Sequence, residues 1–477
     1  MRTVYTVAEV RDAEEQLMAG LPDGALMARA AAGLAVECAR LLRERGGVYG
    51  RQVVLLVGGG NNGGDALYAG ALLARRGAAV TALLLDPDRA HAGGRAALLR
   101  AGGRAVAPDA DFVRGADLVL DGIVGIGGAG GLRAPAVPLA AAARGALTVA
   151  VDVPSGVDAD TGAAGEHAVS ADVTVTFGAL KAGLVAGAGV AQVGELRLVD
   201  IGLGATLPAG RTFVLEAPDV AALLPAPAAA DDKYTRGVVG LVSGSSDYPG
   251  AGVLSTGAAI TGGAGMVRYA GGAADAIRAR YPEVVVHEGA KPSELRVQAW
   301  VAGPGAGTDD DARELLADVL STDVPVLVDA DGLTVLGKHP DLLRGRSAPT
   351  VLTPHDREFA RIAGAPSADR LASARAAAAD LGATVLLKGD ATVVAAPDGR
   401  AWINRTGTPW LGTAGSGDVL SGLIGSLLAT GLEPPLAAAV GAYVHGVAAQ
   451  VAASDGPPSS LDVLHAVREA LRTIAAG

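Results

Sequence analysis

Two glycine-cornered turns carry most of the chemistry this sequence can support. The first, Gly58-Gly59-Gly60-Asn61-Asn62-Gly63-Gly64-Asp65, follows the apolar run QVVLLV at 52–57 and leads into a helical pattern from about Asp65 to Arg76. Gly58, Gly60 and Gly63 meet the G-x-G-x-x-G spacing, which lets backbone amides approach a pyrophosphate at a helix N-terminus. Asp86 stands about 20 residues further on, where a ribose-binding acid would be expected. A tight strand-to-helix turn without a ligand satisfies the same spacing. Asn61, Asn62 and Asp65 go beyond such a turn, because their oxygens suit a hard cation or ribose and phosphate hydroxyls.

The same polar theme recurs where later apolar runs end. Asp121 closes DLVLD and leads through Gly122 into the glycine-rich segment Gly125, Ile126, Gly127, Gly128, Ala129, Gly130 and Gly131. Asp152 closes TVAVD and is followed by Pro154, Ser155, Gly156 and Asp158. In a doubly wound sheet such ends converge on one crevice. Asn62, Asp121 and Ser155 would then ring one cation, and Asp152 would face a ligand as a general base. A turn or N-cap acid is the alternative for Asp152.

The second turn, Thr413-Ala414-Gly415-Ser416-Gly417-Asp418, precedes the apolar helix VLSGLIGSLLATG. Its glycines let the backbone aim amides at a transferring phosphoryl group, and the helix dipole adds positive potential. Asp418 is placed to take a proton from a hydroxyl nucleophile, or simply to cap the helix. Lys388, Gly389, Asp390, Ala391 and Thr392 follow the run TVLL, where the lysine can meet nucleotide phosphate or be only solvated. Gly303-Pro304-Gly305 ends AWVA, His355 follows VLTP, and Tyr248-Pro249-Gly250-Ala251 opens a long helix. Together these imply a second cleft.

The elements that must hold these turns alternate. In the first half, QVVLLV, AVTALLL (79–85), DLVLDGIV (117–124), LTVAVDV (147–153), DVTVTFGAL and ELRLVDIGL read as buried strands separated by Ala-rich helices. That pattern predicts a parallel sheet covered on both faces, with the helices before Arg51 as a cap. A Pro/Ala/Gly shift over 204–232 marks a boundary near 210–216, giving domains 1–213 and 214–477. The second half starts its own alternation at VVGLVSG (238–244), carries a hairpin turning at Asp398-Gly399, and closes with helices near 415–430, 434–454 and 460–475. The halves share no motif, so two different domains are fused.

Composition narrows the function classes. The 477 residues are 50% apolar but only 3% aromatic, with 69 glycines, which favours close small-residue helix packing. A formal net charge of −11 without a basic stripe argues against a nucleic-acid partner. Cys38 is the only cysteine, so neither an intrachain disulfide nor a Cys-rich zinc site is available. The charged N-terminus lacks a signal core, and the apolar stretches are cut before they reach about 18–20 residues. A soluble cytoplasmic enzyme without a membrane partner is expected.

The segments VGGGNNGGD, 121–131, VDVPSGVDADTG (151–162), ADVTVTFGALKAGL (171–184) and VGELRLVDIGL (193–203) together resemble the NAD(P)H-hydrate epimerases over most of residues 5–205. The resemblance implies a Rossmann-like three-layer domain that epimerises the hydroxyl at carbon six of a hydrated nicotinamide ring beside a bound K⁺. It implies Asn62, Asp121 and Ser155 as K⁺ ligands, and Asn61, Asn62, Gly63, Gly64, Asp65, Gly125 to Gly131 and Asp152 as substrate contacts, with Asp152 the base. The chain departs from the family at Ala28, Arg29, Ala30, Ala66, Val124 and Ile126, which puts full epimerase activity in question. From about 225 to 455, the order GPG, DADGL, LTPH, LLKG, GSGD resembles the ribokinase-like ADP/ATP-dependent NAD(P)H-hydrate dehydratases. That resemblance implies Ala251, Gly305, His355 and Asp418 at the hydrated cofactor, Lys388 to Thr392 and Gly417 at the nucleotide, with Mg²⁺ and ADP or ATP. Asp356-Arg357 replaces the usual Pro-Gly.

The expected protein is therefore an α/β fusion that repairs hydrated NADH and NADPH: an isomerase for the R and S hydrates followed by a lyase for the S-hydrate, assembled as a homo-oligomer. The rivals are a small-molecule kinase with a ligand-binding appendage, an NAD-dependent dehydrogenase using the first turn, and an epimerase domain that binds without catalysing.

Overall fold

The computed structural model describes every residue except Ala129 and Gly477. The chain forms two compact units, Thr3–Gly210 and Arg211–Gly477 with Met1–Arg2.

In the N-terminal unit, β1 (Arg2–Tyr5), α1 (Val7–Met18) and α2 (Ala25–Glu44) precede the alternation β2 (Gln52–Val57), α3 (Asn61–Ala74), β3 (Ala79–Leu84), α4 (Ala92–Arg100), β4 (Arg104–Val106), α5 (Ala110–Arg114), β5 (Leu118–Gly122), α6 (Ala136–Ala142), β6 (Leu147–Val151), β7 (Val173–Phe177), β8 (Leu180–Lys181) and β9 (Glu195–Val199). Among the described residues, a parallel seven-stranded sheet runs β4-β3-β2-β5-β6-β7-β9. Its central strands are apolar throughout because both faces are covered. Val53, Leu55 and Val57 face α2 and α3, whereas Val54 and Leu56 face α5 and α6. Ala30, Leu34, Cys38 and Leu42 recur every four residues and form the buried stripe of α2. The chain departs from β2 toward β3 on one side and returns to β5 on the other. That reversal opens a crevice at the carboxyl ends of β2 and β5.

Two expectations need correction here. The helix after the glycine turn starts at Asn61, not near Asp65, with the extended Gly60 as its N-cap. Gly63 and Gly64 lie inside its first turns because a side chain at Gly63 would strike the Gly58 carbonyl, so these glycines serve close helix–strand packing. Asp86 accepts the Arg89 amide at 3.2 Å and closes a local turn. Strand β1, unseen in the sequence, pairs in parallel with β8 through Val4–Leu180 and Tyr5–Lys181.

The C-terminal unit contains β10 (Thr212–Val214), α7 (Ala217–Leu223), β11 (Val238–Val242), α8 (Pro249–Thr261), β12 (Met266–Tyr269), α9 (Ala274–Arg280), β13 (Val285–Val286), β14 (Ala299–Ala302), α10 (Asp310–Leu320), β15 (Val326–Val328), α11 (Asp331–Lys338), β16 (Thr350–Leu352), α12 (Asp356–Ala363), α13 (Arg370–Leu381), β17 (Thr384–Leu387), β18 (Thr392–Ala395), β19 (Ala401–Asn404), α14 (Ser416–Ala429), α15 (Pro434–Ala452) and α16 (Ser460–Ala476). Strands β13-β12-β11-β14-β15-β16-β17 are parallel, and β18 and β19 extend the sheet as an antiparallel hairpin with Gly399 at φ 86°. The order reverses between β11 and β14, which places a second crevice at their ends.

Small residues set the helix layer. Gly422 of α14 lies against the Ser255 carbonyl of α8, and Gly425 against Val301 of β14. Any Cβ at either position would collide. The stretch Pro434–Asp455 is long and apolar enough to cross a membrane, contrary to the expectation that such runs are all interrupted. It is mostly buried and packs between α14 and α16, so its apolar surface is core.

At Gly58 a Cβ would overlap the Ile123 carbonyl oxygen, and backbone has no rotamer with which to yield. Gly58→Ala is expected to lower the stability of the N-terminal unit by about 1–3 kcal/mol, read by denaturant unfolding.

Candidate functional site

In the N-terminal crevice, β5 delivers Asp121 to a position with no solvent exposure. Its two oxygens accept the Ser155 amide at 2.8 Å and the Ser155 hydroxyl at 2.6 Å, and the Ile123 amide at 3.3 Å. Burial pushes its carboxyl up to about 6, and the Ser155 bonds hold it from rising further. Ser155 Oγ also lies 3.2 Å from the Val124 carbonyl. Asn62 Oδ1 sits 2.9 Å from where a Cβ on Gly125 would be, so only glycine lets the 122–125 loop cross over Asn62. The Asn62 amide nitrogen is buried without a hydrogen-bond partner. The structure thus gathers Asn62, Asp121 and Ser155, with the Val124 carbonyl as a further oxygen. Gly125 to Gly128 close a turn through a 2.9 Å bond, and Gly130 and Gly131 continue the partly exposed loop. Ala129 lies outside the described residues.

Asp152, at the end of β6, adopts φ 67°, a left-handed conformation that costs a non-glycine residue energy and persists where surroundings enforce it. Its Oδ1 accepts from Lys181 Nζ at 2.6 Å and Thr176 Oγ1 at 3.0 Å. Lys181, only 1% exposed, also donates to Thr176 Oγ1 and the Phe177 carbonyl, each at 2.9 Å. Nothing in the sequence reading singled out Lys181. Near this pair, Asp65 is pushed up to about 8 by burial, then by the charges of Asp152 and Glu14. Glu14 of α1 is itself raised, by burial first, with Lys181 opposing. Asn61, Gly63 and Gly64 share the first turn and a half of α3 with Asn62 and Asp65.

In the C-terminal crevice, Lys388 follows β17 and turns its ammonium inward, 2.9 Å from Asp329 Oδ1 and 3.6 Å from Glu358 Oε2. Asp329 ends β15 next to Ala330, whose φ of 51° is the other left-handed non-glycine among the described residues. The second Asp329 oxygen accepts the Ser421 hydroxyl at 2.7 Å. A Cβ on Gly417 would lie in ordinary contact, 3.5 Å from Lys388 Nζ and 3.6 Å from Asp329 Oδ2, which places the first turn of α14 directly beside this ion pair. Asp418, in that turn, is pushed up to about 7: burial and Asp329 raise it, Lys388 lowers it, and Asp331 and Glu358 raise it again. Gly415 (φ 90°) caps the helix, and the loop before it is pinned by Ser416 to the Leu411 carbonyl and by Ser460 to the Ala414 carbonyl.

His355 caps α12, its Nδ1 accepting the amides of Arg357 and Glu358, while Glu358 Oε2 accepts the His355 amide at 2.8 Å. This box holds Glu358 beside Lys388 despite the Asp356-Arg357 departure. Gly305 packs on Ala251 and Tyr248 at the start of α8. Gly389 and Asp390 are exposed, Thr392 is partly exposed, and Ala391 is buried, which leaves Ala391 only its backbone for a ligand. His445 of α15 is buried with Nε2 unpartnered, and desolvation drives it down to about 4, so it is a neutral imidazole. Asp329 entered the sequence reading only within DADGL, and Glu358 was given no role there; Asp329 meets Lys388 across the ends of β15 and β17, and Glu358 reaches the lysine from α12. Among the described residues no cluster of three or more His, Cys, Asp or Glu is arranged to hold a metal.

The first crevice gathers side-chain oxygens beside a lysine-paired carboxylate. The second sets a near-neutral carboxyl at a helix N-terminus beside a lysine, which suits proton abstraction with phosphoryl stabilisation.

Comparison with known proteins agrees. A family model described as YjeF-related protein N-terminus matches residues 23–183, and one described as NAD(P)H-hydrate dehydratase matches 239–469. The bifunctional NAD(P)H-hydrate repair enzyme Nnr of Mycobacterium leprae is 53% identical over 466 residues, covering 97% of this chain and 96% of its own length. The Mycobacterium tuberculosis enzyme of the same name is 53% identical over 449 residues, covering 92% of each. Among solved structures, the ADP/ATP-dependent NAD(P)H-hydrate dehydratase of Bacillus subtilis, co-crystallised with ATP and Mg²⁺, is 30% identical with a TM-score of 0.50, covering 56% of this chain and 100% of that one.

Removing Lys181 would strand Asp152 as a buried, unpaired carboxylate. Lys181→Met is expected to cost about 3–5 kcal/mol in the N-terminal unit, and adding Asp152→Asn should return a large part of it. Denaturant unfolding of the two variants and the double variant measures this coupling.

Proposed function

The chain belongs to the bifunctional NAD(P)H-hydrate repair enzymes, an epimerase joined to a dehydratase, and from that premise we propose how its residues divide the work. The epimerase is assigned to Thr3–Gly210 and the dehydratase to Arg211–Gly477, which moves the expected boundary at 213 to 210 and keeps β10 whole in the second unit. The observation that carries the second assignment is Asp418 at the N-terminus of α14 amid Lys388, Asp329 and Glu358.

In the dehydratase, the S-hydrate lies among Ala251, Gly305, His355 and Asp418. ADP or ATP, as its Mg²⁺ complex, lies along Lys388, Gly389, Asp390, the Ala391 backbone, Thr392 and Gly417. Asp418 takes the proton of the carbon-six hydroxyl, and that oxygen attacks the terminal phosphorus. The Gly417 amide in the first turn of α14 and the Lys388 ammonium balance the negative charge on the moving phosphoryl group, the Ser416 and Asp418 amides being bonded to the Thr413 and Gly415 carbonyls. The bond from carbon six to oxygen then breaks, inorganic phosphate leaves with the electron pair, and loss of a proton from the adjacent ring carbon restores the dihydronicotinamide. Phosphate leaves far more readily than hydroxide, which is what the nucleotide contributes.

In the epimerase, the hydrate lies along Asn61 to Asp65, the 125–131 loop and Asp152, with Asp152 as base. Asn62, Asp121 and Ser155 fit K⁺: each brings a side-chain oxygen, and the Asp121 carboxylate is dry. The ion would neutralise Asp121 and fix the two loops around the ring. The reading places the enzyme in the cytoplasm as a homo-oligomer. Because the chain departs from the family at Val124, Ile126 and Ala66, a binding-only N-terminal unit is the second reading.

Incubating mixed NADPH-hydrate epimers with the full chain, ADP and Mg²⁺ tests both halves through the dihydronicotinamide absorbance. Recovery of the whole pool is expected. Asp152→Ala should recover only the S-hydrate share, and Asp418→Asn should lower dehydration by at least about 100-fold. An Asp152→Ala enzyme that still recovers everything favours the binding-only reading. A stable phosphorylated product without recovery favours the kinase.

Because Asp418 acts in its ionised form and its carboxyl lies up near 7, the active fraction grows as pH rises. For the S-hydrate, kcat/KM should climb about tenfold per pH unit below pH 7 and level off above it. A flat profile from pH 5 to about 8 would remove Asp418 as the base.

A further inference from the structure

Asp65 lines the hydrate site but is a buried titratable group to which this mechanism gives no proton to move. It is 9% exposed, and its Oδ1 is buried without any hydrogen-bond partner. Helix capping does not explain it. With α3 beginning at Asn61, Asp65 is the fifth helical residue, past the first-turn amides that a capping carboxylate serves. Nor does an ion pair, because the nearby ammonium of Lys181 is committed to Asp152, Thr176 and the Phe177 carbonyl.

The charged neighbours come from every side. Glu14 approaches from α1, and Asp152 follows β6. Lys181 is on β8, bound to Asp152, and Asp121 on β5 is bound to Ser155. His91 precedes α4 and accepts the Gly94 amide through Nδ1. Arg29 of α2 is held by the Ile201 carbonyl, and strands β2 and β3 contribute no titratable side chain. Lys181 is bound to Asp152, and Lys181 and Arg11 both offset Glu14, whereas Asp65 has only the like charges of Asp152 and Glu14 beside it, so the carboxyls cannot all be ionised. The proton falls to Asp65, whose carboxyl lies up at about 8.

We propose that Asp65 is the acid partner of Asp152 in the epimerisation, giving a proton to the ring nitrogen while Asp152 takes one from the carbon-six hydroxyl. This rests on the epimerase reading of the N-terminal unit. Carbon six bears both the hydroxyl and the ring nitrogen, so opening the ring needs one acid and one base. Asp152 removes the O–H proton, and that electron pair forms the C=O bond. The bond between carbon six and nitrogen breaks with its pair on nitrogen, which takes the Asp65 proton. Rotation about the bond between carbons five and six presents the other face of the aldehyde. On closure, nitrogen attacks carbon six and returns its proton to Asp65, while the oxygen recovers its proton from Asp152. Nothing is consumed, both carboxyls end as they began, and no water is required, in keeping with the burial of both groups.

The test compares the full chain with Asp65→Asn, Asp65→Glu and Asp152→Asn, starting from purified R-hydrate with ADP and Mg²⁺, and from S-hydrate as the control for the other unit. Asp65→Asn is expected to slow R-hydrate recovery by at least about 100-fold while S-hydrate recovery is unchanged, and Asp65→Glu to restore part of the loss. The pH profile of the unmodified chain gives a readout that does not depend on a variant folding. R-hydrate conversion should fall as pH rises through about 8, where Asp65 loses its proton. Conversion that stays level to pH 10, or an Asp65→Asn chain that keeps the parent rate while Asp152→Asn loses it, overturns the acid role and leaves the epimerase reading intact. A parent chain that never converts R-hydrate overturns both.

Discussion

One ammonium set among several buried carboxylates is the interaction on which both halves of the protein depend. Lys181 serves Asp152 with Asp65 and Glu14 nearby, and Lys388 serves Asp329 with Glu358 and Asp418 nearby. In water such crowding would be trivial, because each carboxylate would keep its own hydration. In a dry crevice a single positive charge cannot hold several negative ones, so the carboxyls divide into ionised and protonated members. The division follows the hydrogen bonds. The carboxyls that burial raises, Asp65 and Glu14 in one unit and Asp418 in the other, are those without a direct bond to the lysine. Two unrelated folds arrive at this arrangement because both bring the carboxyl ends of parallel strands to one side of a sheet, where side chains from separate elements meet with little water between them.

Backbone geometry does the rest of the positioning. The left-handed Asp152 and Ala330 each sit where a strand hands its carboxyl to the crevice, Asp152 supplying its own and Ala330 following Asp329. In both units a local conformational cost is borne where the chemistry lies, held in place by a sheet that is fully packed on both faces. Glycine has a complementary part. At Gly125 the missing Cβ leaves room for the Asn62 side chain, so the N-terminal crevice is shaped by an absent atom as well as by the polar groups present.

The sequence made the crevices legible because their residues punctuate apolar runs: GGGNNGGD, LVLD, TVAVD and GSGD each break a strand or open a helix. What it hid were contacts across the fold. Lys181 belongs to a two-residue strand, and its partner Asp152 lies 29 positions earlier, a separation with no periodic signature. Glu14 sits in a helix rich in charge, VAEVRDAEEQLM, where one partly buried acid looks like its exposed neighbours. The start of α3 was misread because glycines usually mark loops. Here they sit inside the helix, where Gly63 and Gly64 let it lie close against the β2 turn and the α4 entry.

The two chemistries also differ in what they must spend, and this explains why one chain carries both. Ring opening and closure returns every proton, so an epimerase can only relax the two hydrates toward their equilibrium ratio. Phosphoryl transfer followed by loss of phosphate is driven by the nucleotide and removes one hydrate continuously. Coupling therefore needs no communication between the sites. Draining one epimer pulls the other through a reversible step, and encoding both catalysts in one chain fixes their ratio at one to one. Each unit can then keep the proton arrangement its own step requires, a protonated acid beside an anion in one and a near-neutral base beside a lysine in the other, without compromise between them.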